Sequence, residues 1–270
     1  MAPKTTIYCV RHAQGFHNLS TANHNIPDPL LTDLGKQQCK DLAASFPYHS
    51  KITHLVSSPL RRTIYTTLLS FPDEVAQGKK IIALPELQET SDLPCDTGSD
   101  KDKIEAEFGD KVDLHLVSEG WNDKTSEKYN PAASAIEARA LEARVFLRKL
   151  AADARASGQF DGQDIHIVVV THGGFLHYFT EDWNGHDRFV GTGWANTEWR
   201  SYEFVDETDA TASLKELQES RDRRGERPLS EAEQRNLKQS AEQEWQASGY
   251  QTPPDQEKPE PVSGSIKVNA

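Results

Sequence analysis

Short apolar runs recur along the chain, and each stops at a group of polar or charged residues. Residues 5–10 (TTIYCV) are β-branched and aromatic and run into Arg11-His12, the pattern of a buried strand that hands its C-terminal end to a loop. Residues 54–57 (HLVS) and 81–84 (IIAL) repeat it, the first breaking at Ser58-Pro59. Residues 165–170 (IHIVVV) are apolar on both faces, which predicts a central parallel strand. They end at Thr171-His172-Gly173-Gly174. A later strand is expected over 199–205.

Helical periods lie between these runs. Thr32 can cap a helix from Asp33 to about Phe46, with Leu34, Leu42, Ala43 and Phe46 on its apolar side and Pro47 behind it. A second is expected over about 60–69, next to Pro59, which is tolerated at a helix start. The longest, 131–156, is dense in Ala, Leu, Glu and Arg and ends at Ser157-Gly158. Strand and helix alternate, so the expected fold is α/β: a doubly wound, mostly parallel sheet with helices on both faces. Ligands of such sheets bind beyond the carboxyl ends of the strands, and His12, Ser57 and His172 would share that edge. The stretch from 85 through Gly98, rich in Asp, Thr, Ser and Pro, reads as a loop with room for function.

From Asp206 the sequence turns charged and weakly apolar. The expected organisation is a compact catalytic domain over 1–205 and a charged extension over 206–270. Within the extension, Ser230 and Glu233 form a capping box that opens a polar helix over about 230–245, and the Pro-rich TPPDQEKPEPVSGS after it is expected to be disordered. Leu229, Leu237 and Trp245 could pack the extension; binding a partner or simple solvation are the alternatives.

A formal charge of −12 argues against nucleic acid or an anionic membrane as partner. An anionic substrate would then need a local basic pocket. Cys9, Cys39 and Cys95 form no even set and no CxxC pair, so no disulfide framework or structural zinc site is expected. The first apolar stretch is too short for a signal peptide, and no run of about 18 apolar residues follows. A soluble, cytoplasmic protein without a membrane span is expected.

An arginine followed by a histidine at a strand end, with Asn18 six residues on, suits a phosphate. Imidazole can attack phosphorus, and a guanidinium offers forked donors to its oxygens. Phosphoryl transfer needs further cationic or amide donors. Arg61 and Arg62 open the helix after Ser58-Pro59, where the helix dipole disfavours cations unless an anion is bound. His172 follows the most apolar strand, beside two glycines that permit close approach. Competing chemistries lack their motifs: no cysteine is followed six positions later by arginine, and there is no G-x-S-x-G elbow and no phosphate-binding loop of the Walker type. His17 and His24 have no carboxylate or His-x-x-x-His partner pattern, so no metal is expected.

RHAQGFHN (11–18), SSPLRRT (57–63), LQE (87–89) and VTHGG (170–174) together resemble the histidine phosphatase superfamily, the phosphoglycerate mutase-like group, over roughly residues 5–205. The resemblance implies that His12 is the nucleophile that becomes phosphohistidine. It implies that Arg11, Arg62 and His172 bind the transferred phosphoryl group, with Asn18 in the same pocket. Glu89 matches the proton donor, and Asp92 and Asp96 are rivals for that role. Ala13 stands where the group usually has Gly, and Thr63 and Tyr65 where it has Ala and Gln. After Glu89 the chain reads TSDLPCDTGSD, unlike the aromatic and basic continuation of the cofactor-dependent mutases.

The expectation is therefore a metal-independent phosphatase that acts on a small phosphate ester without a cofactor. A phosphomutase is the alternative, and a phospholigand-binding scaffold the third reading. The leaving group would be chosen by residues 90–130, among them Phe108, Trp121 and Tyr129.

Overall fold

The computed structural model describes residues 3–186 and 192–253. Its seven-stranded sheet runs in the order β4-β3-β2-β5-β1-β6-β7. The strands are β1 (Thr5–Arg11), β2 (His54–Ser57), β3 (Ile81–Ala83), β4 (Val112–Asp113), β5 (Ile165–Thr171), β6 (Trp199–Phe204) and β7 (Leu214–Glu216). Every pairing from β4 across to β1 is parallel, and the β1–β6 and β6–β7 pairings are antiparallel. The sheet is thus mostly parallel, as the alternation of elements predicts.

The helices are α1 (Asp33–Ser45), α2 (Arg61–Ser70), α3 (Pro72–Ala76), α4 (Lys101–Phe108), α5 (Ala133–Ala156), α6 (Gly173–Thr180), α7 (Gln218–Arg224) and α8 (Glu231–Ala247). Side chains alternate across a strand, so the central strands feed two cores. Ile7, Cys9, Ile167 and Val169 face the core built with α5 and α6. Tyr8, Val10, Val168 and Val170 face the one built with α1, α2 and α4. With both faces covered, β5 is buried at every position, which is why its sequence is uninterrupted by polar residues apart from His166 and its terminal threonine.

Local signals set the helix ends. Thr32 Oγ1 accepts from the Gly35 amide at 3.0 Å and starts α1. Ser230 Oγ accepts from the Glu233 amide at 3.3 Å, and the Ser230 amide donates to Glu233 Oε2 at 2.8 Å, closing the predicted capping box of α8.

The boundary at 205 does not separate the folded body from its extension. β7 lies beyond it yet pairs with β6, and Ala241 and Trp245 of α8 are buried in the α5/α6 core. Leu237, half-buried, and Trp245 pack there as the sequence allows, and Ala241 joins them on an otherwise polar helix. Apart from Thr252 and Pro253, the Pro-rich end lies outside the described residues. Among the described residues no helix is long and apolar enough to cross a membrane.

Candidate active site

Parallel neighbours end at the same level, and here three of them converge. Arg11 is in register with Thr171, and the His12 amide donates to Thr171 O at 2.9 Å. The rings of His12 and His172 therefore meet, with centroids 5.2 Å apart. On the other side of β5, the Ser58 amide donates to Val170 O at 3.0 Å, so the turn after β2 starts α2 beside the same two rings. Arg62, in the first turn of α2, is fully buried there.

His12 is buried, and its Nδ1 lies 2.8 Å from Ala13 O. A carbonyl oxygen only accepts, so the proton is on Nδ1 and Nε2 keeps its lone pair. Burial lowers the pKa of His12 well below its ordinary value, and the nearby Arg62, His17 and Arg11 add to this. The result is an uncharged imidazole whose Nε2 lone pair is not taken up by a proton.

Arg62 donates through Nη1 to Cys95 O and through Nη2 to Asp96 Oδ1 (2.9 Å) and His172 Nδ1 (3.0 Å). Since the guanidinium can only donate, His172 carries its proton on Nε2 and gives it to Ser58 Oγ at 2.9 Å. Ser58 accepts that bond with its oxygen and keeps its own hydroxyl hydrogen for another acceptor. Arg62 Nε and Arg11 Nε are buried and have no partner. Arg11 Nη1 donates to Trp194 O, and among the described residues no carboxylate pairs with Arg11.

Glu89 comes from the loop after β3. Its carboxylate accepts from the amides of Thr90 (3.0 Å), Gly174 (3.2 Å) and Phe175 (2.9 Å), so the start of α6 holds it. The two glycines make room for this side of the site. A Cβ on Gly174 would sit 2.8 Å from Glu89 Oε1, and one on Gly173 would sit 2.4 Å from Thr192 Oγ1. Burial raises the Glu89 pKa, as does the neighbouring Asp96, while Arg62 and the amides oppose the shift. Asp96 is committed elsewhere: Arg62 binds one oxygen, and Ser91 Oγ donates to the other at 2.6 Å.

Behind Glu89 stand two basic side chains, Arg139 and Lys124, that belong to no sequence motif. Arg139 of α5 is buried and donates to the carbonyls of Glu86 (2.7 Å), Gln88 and Glu89 (3.0 Å). Lys124 Nζ donates to the same Glu89 O at 3.1 Å. Lys124 is only 8% exposed, and no carboxylate pairs with it among the described residues. Burial, with Arg139 next, pushes its pKa down to about 7. Arg11, Arg62, Arg139 and Lys124 thus lie around Glu89, with Asp96 and Glu198 beside them, a local cluster of basic groups in a chain of net charge −12.

A family model described as the histidine phosphatase superfamily (branch 1) matches residues 7–217. The chain belongs to that superfamily. It is 40% identical over 79 residues to phosphoglycerate mutase-like protein 1 of Arabidopsis thaliana, an alignment that spans 26% of this chain and 28% of that relative's length. Among solved structures, it is similar to the ecdysone phosphate phosphatase of Bombix mori in complex with tungstate: TM-score 0.51, 14% identity, 74% of this chain and 89% of that one. That likeness is one of fold. A mycobacterial glucosyl-3-phosphoglycerate phosphatase complexed with VO3 aligns with TM-score 0.49 and 19% identity, over 78% of this chain and 96% of that one.

Of the positions that the histidine phosphatase motifs single out, the structure brings His12, Arg62, His172 and Glu89 to one place, with Arg11 on the edge of it. Asn18 is exposed, and its Oδ1 accepts from the Gly15 amide at 3.0 Å, so its carbonyl oxygen braces the loop after His12. Arg61 turns away to a forked pair with Glu107, at 2.7 and 3.0 Å. Phe108 and Trp121 are buried in the α1/α2/α4 core, and the Trp121 ring leaves no space for a Cβ on Gly98. They line that core instead of selecting a leaving group. Lys124 and Arg139 carry no motif, and a lysine or arginine in a charged stretch is most often solvated. The one cue to His17 is its place inside RHAQGFHN.

Proposed function

We propose that this protein hydrolyses a phosphate monoester through a phosphohistidine formed on His12. The observation that carries the proposal is the Nδ1–H bond to Ala13 O, which leaves Nε2 of a buried, neutral His12 free beside Arg62 and Arg11. The Nε2 lone pair attacks phosphorus while the ester P–O bond breaks, and the departing oxygen takes the proton of the Glu89 carboxyl. Arg11, Arg62 and the Ser58 hydroxyl offer donors to the equatorial oxygens as charge spreads over them. His172 serves by orienting Arg62 and Ser58. In the second step water attacks phosphorus, gives a proton to the Glu89 carboxylate and releases phosphate, and His12 returns to its neutral form.

Replacing His12 by Ala should lower turnover of an aryl phosphate by more than about a thousandfold, since removing a nucleophile removes the covalent route. Substrate labelled in its phosphate should leave an acid-labile, base-stable phosphoenzyme in the wild type and none in His12→Ala. Activity of that variant within about tenfold of wild type sinks the proposal.

Lys124 favours a second reading, transfer of the phosphoryl group back to another hydroxyl of the same substrate. Its Nζ, bonded to Glu89 O but to no carboxylate among the described residues, lies beside Glu89 and would hold a second anionic group of a substrate that stays bound. Appearance of label in an isomeric ester, without free phosphate, decides for it.

A further inference from the structure

His17 has no place in the mechanism above, yet it lies inside the site. It is 7% exposed, and its ring centroid is 5.3 Å from that of His12. Arg62 and Arg11 are the charges it feels most, and His12 and His172 both feel it. Burial and these two guanidinium groups push its pKa down to about 2, so it is uncharged.

Neither ring nitrogen makes a hydrogen bond among the described residues, and Nδ1 is fully buried. Leaving a buried polar group without a partner costs about 1–3 kcal/mol, and such groups are rare in folded proteins. A packing role alone would be filled at lower cost by an apolar ring. The chain instead adapts to the imidazole: a Cβ on Gly15 would lie 2.7 Å from His17 Nδ1 and 2.8 Å from Cε1. Gly15 has ordinary extended backbone (φ −98°, ψ 166°), so glycine is needed there for space and not for conformation. The Gly15 amide is taken by Asn18 Oδ1, which leaves nothing on that side for Nδ1. An N–H packed against the glycine would be an orphan donor, so the proton belongs on Nε2, the nitrogen that is not packed there.

We propose that His17 is a further ligand of the phosphoryl group, donating its Nε2–H to a phosphoryl oxygen beside His12. It acts as a neutral donor in a pocket whose other donors to phosphate are two guanidinium groups and a hydroxyl. Bound phosphate supplies the partner that the folded chain does not. This rests on the phosphohistidine reading for its place in the reaction, but the binding it describes can be measured without turnover.

The test compares His17→Gln, whose terminal amide keeps an N–H near the position of Nε2, with His17→Met, of similar length and without a donor. The probes are orthovanadate, as competitive inhibitor and by calorimetry, and an aryl phosphate. A hydrogen bond to a charged group contributes about 1.5–3 kcal/mol, or about 10- to 100-fold. His17→Met should weaken vanadate binding and lower kcat/KM by about that factor, and His17→Gln should stay within about fivefold of wild type. Wild-type vanadate affinity in His17→Met overturns the proposal. Equal losses in both variants overturn it as well, because they would assign His17 to ring packing. His12→Ala is assayed alongside: if it turns over the ester like wild type, the phosphohistidine reading fails, while the vanadate comparison still decides the role of His17.

Discussion

On the side proposed for the nucleophile, His12 and His172 stand just past the ends of β1 and β5, where ladder hydrogen bonds set the backbone, and Arg62 lies in the first turn of α2, which the turn after β2 starts beside them. On the side proposed for the proton donor, Glu89, Asp96 and Lys124 come from the chain between β3 and α5. The regular elements there are short 3-10 turns, α4 and the two-residue β4. That half is held by side chains reaching for backbone carbonyls: Arg139 to residues 86, 88 and 89, Lys124 to 89 and Arg62 to 95. A sheet edge spreads its constraints over many bonds, so single changes there act chiefly through the chemistry they remove. A loop pinned by two or three cations can be displaced by losing one.

The contrast is sharpest for the two carboxylates. Glu89→Gln should lower kcat by about 10²- to 10⁴-fold for esters of ordinary alcohols, the usual share of a general acid. For a nitrophenyl ester, whose leaving group needs no proton, the loss should be much smaller. Asp96 acts through Arg62, so Asp96→Asn should cost the two ester types the same factor. The reverse pattern would make Asp96 the donor and break the assignment.

Arg139→Met leaves the carbonyls of residues 86 and 88 without this partner inside the protein and should destabilise the fold by on the order of 3 kcal/mol, read as a denaturant midpoint. Its residual activity should resemble that of Glu89→Gln, with phosphoenzyme formation from the nitrophenyl ester largely kept. Lys124→Met is a smaller change. KM for an ester whose leaving group carries a second anion should rise about tenfold, the equivalent of 1.4 kcal/mol. KM for an uncharged aryl ester should hardly move, and an equal rise in both would place Lys124 on the transferred phosphoryl group.

The nucleophile side also carries a pH dependence of stability. His12, His17 and His172 all have depressed pKa values in the fold, by burial first and then by Arg62. Below the unfolded value of about 6.5 the unfolded chain takes up protons that the folded chain refuses. Their contribution is present above that pH and is lost as the pH falls toward the folded values. Each histidine adds up to about 1.4 kcal/mol per pH unit to the slope. Thermal melts between pH 6.5 and 5 should show the decline, and His17→Met should flatten it. An unchanged slope in that variant would mean that His17 is protonated in the fold.

Strands and long helices were legible because their burial is regular: β5 is apolar at nearly every position, and α5 follows its predicted 131–156 period closely, as Ala133–Ala156. α4 was not, since only Ile104 and Phe108 of its eight residues are buried. α7, with Ser220 and Arg221 buried, gives even less apolar signal. α6 was hidden for the opposite reason, two glycines followed by a run buried all round. β7 is three residues long with a buried glutamate, Glu216, held by Arg221 and Arg224.

The amino-acid sequence alone determined the main strands and long helices, and with them the edge that carries His12, Arg62 and His172, because the carboxyl ends of parallel strands lie on one side of the sheet. Only the tertiary structure decided the hydrogen-bonding state of each group there. The carbonyl that leaves Nε2 of His12 free belongs to the next residue, but the burial of that ring, the tie of Asp96 to Arg62 and the burial of Lys124 and Arg139 against residues 86–89 depend on residues far apart in the chain, and no local period encodes those distances.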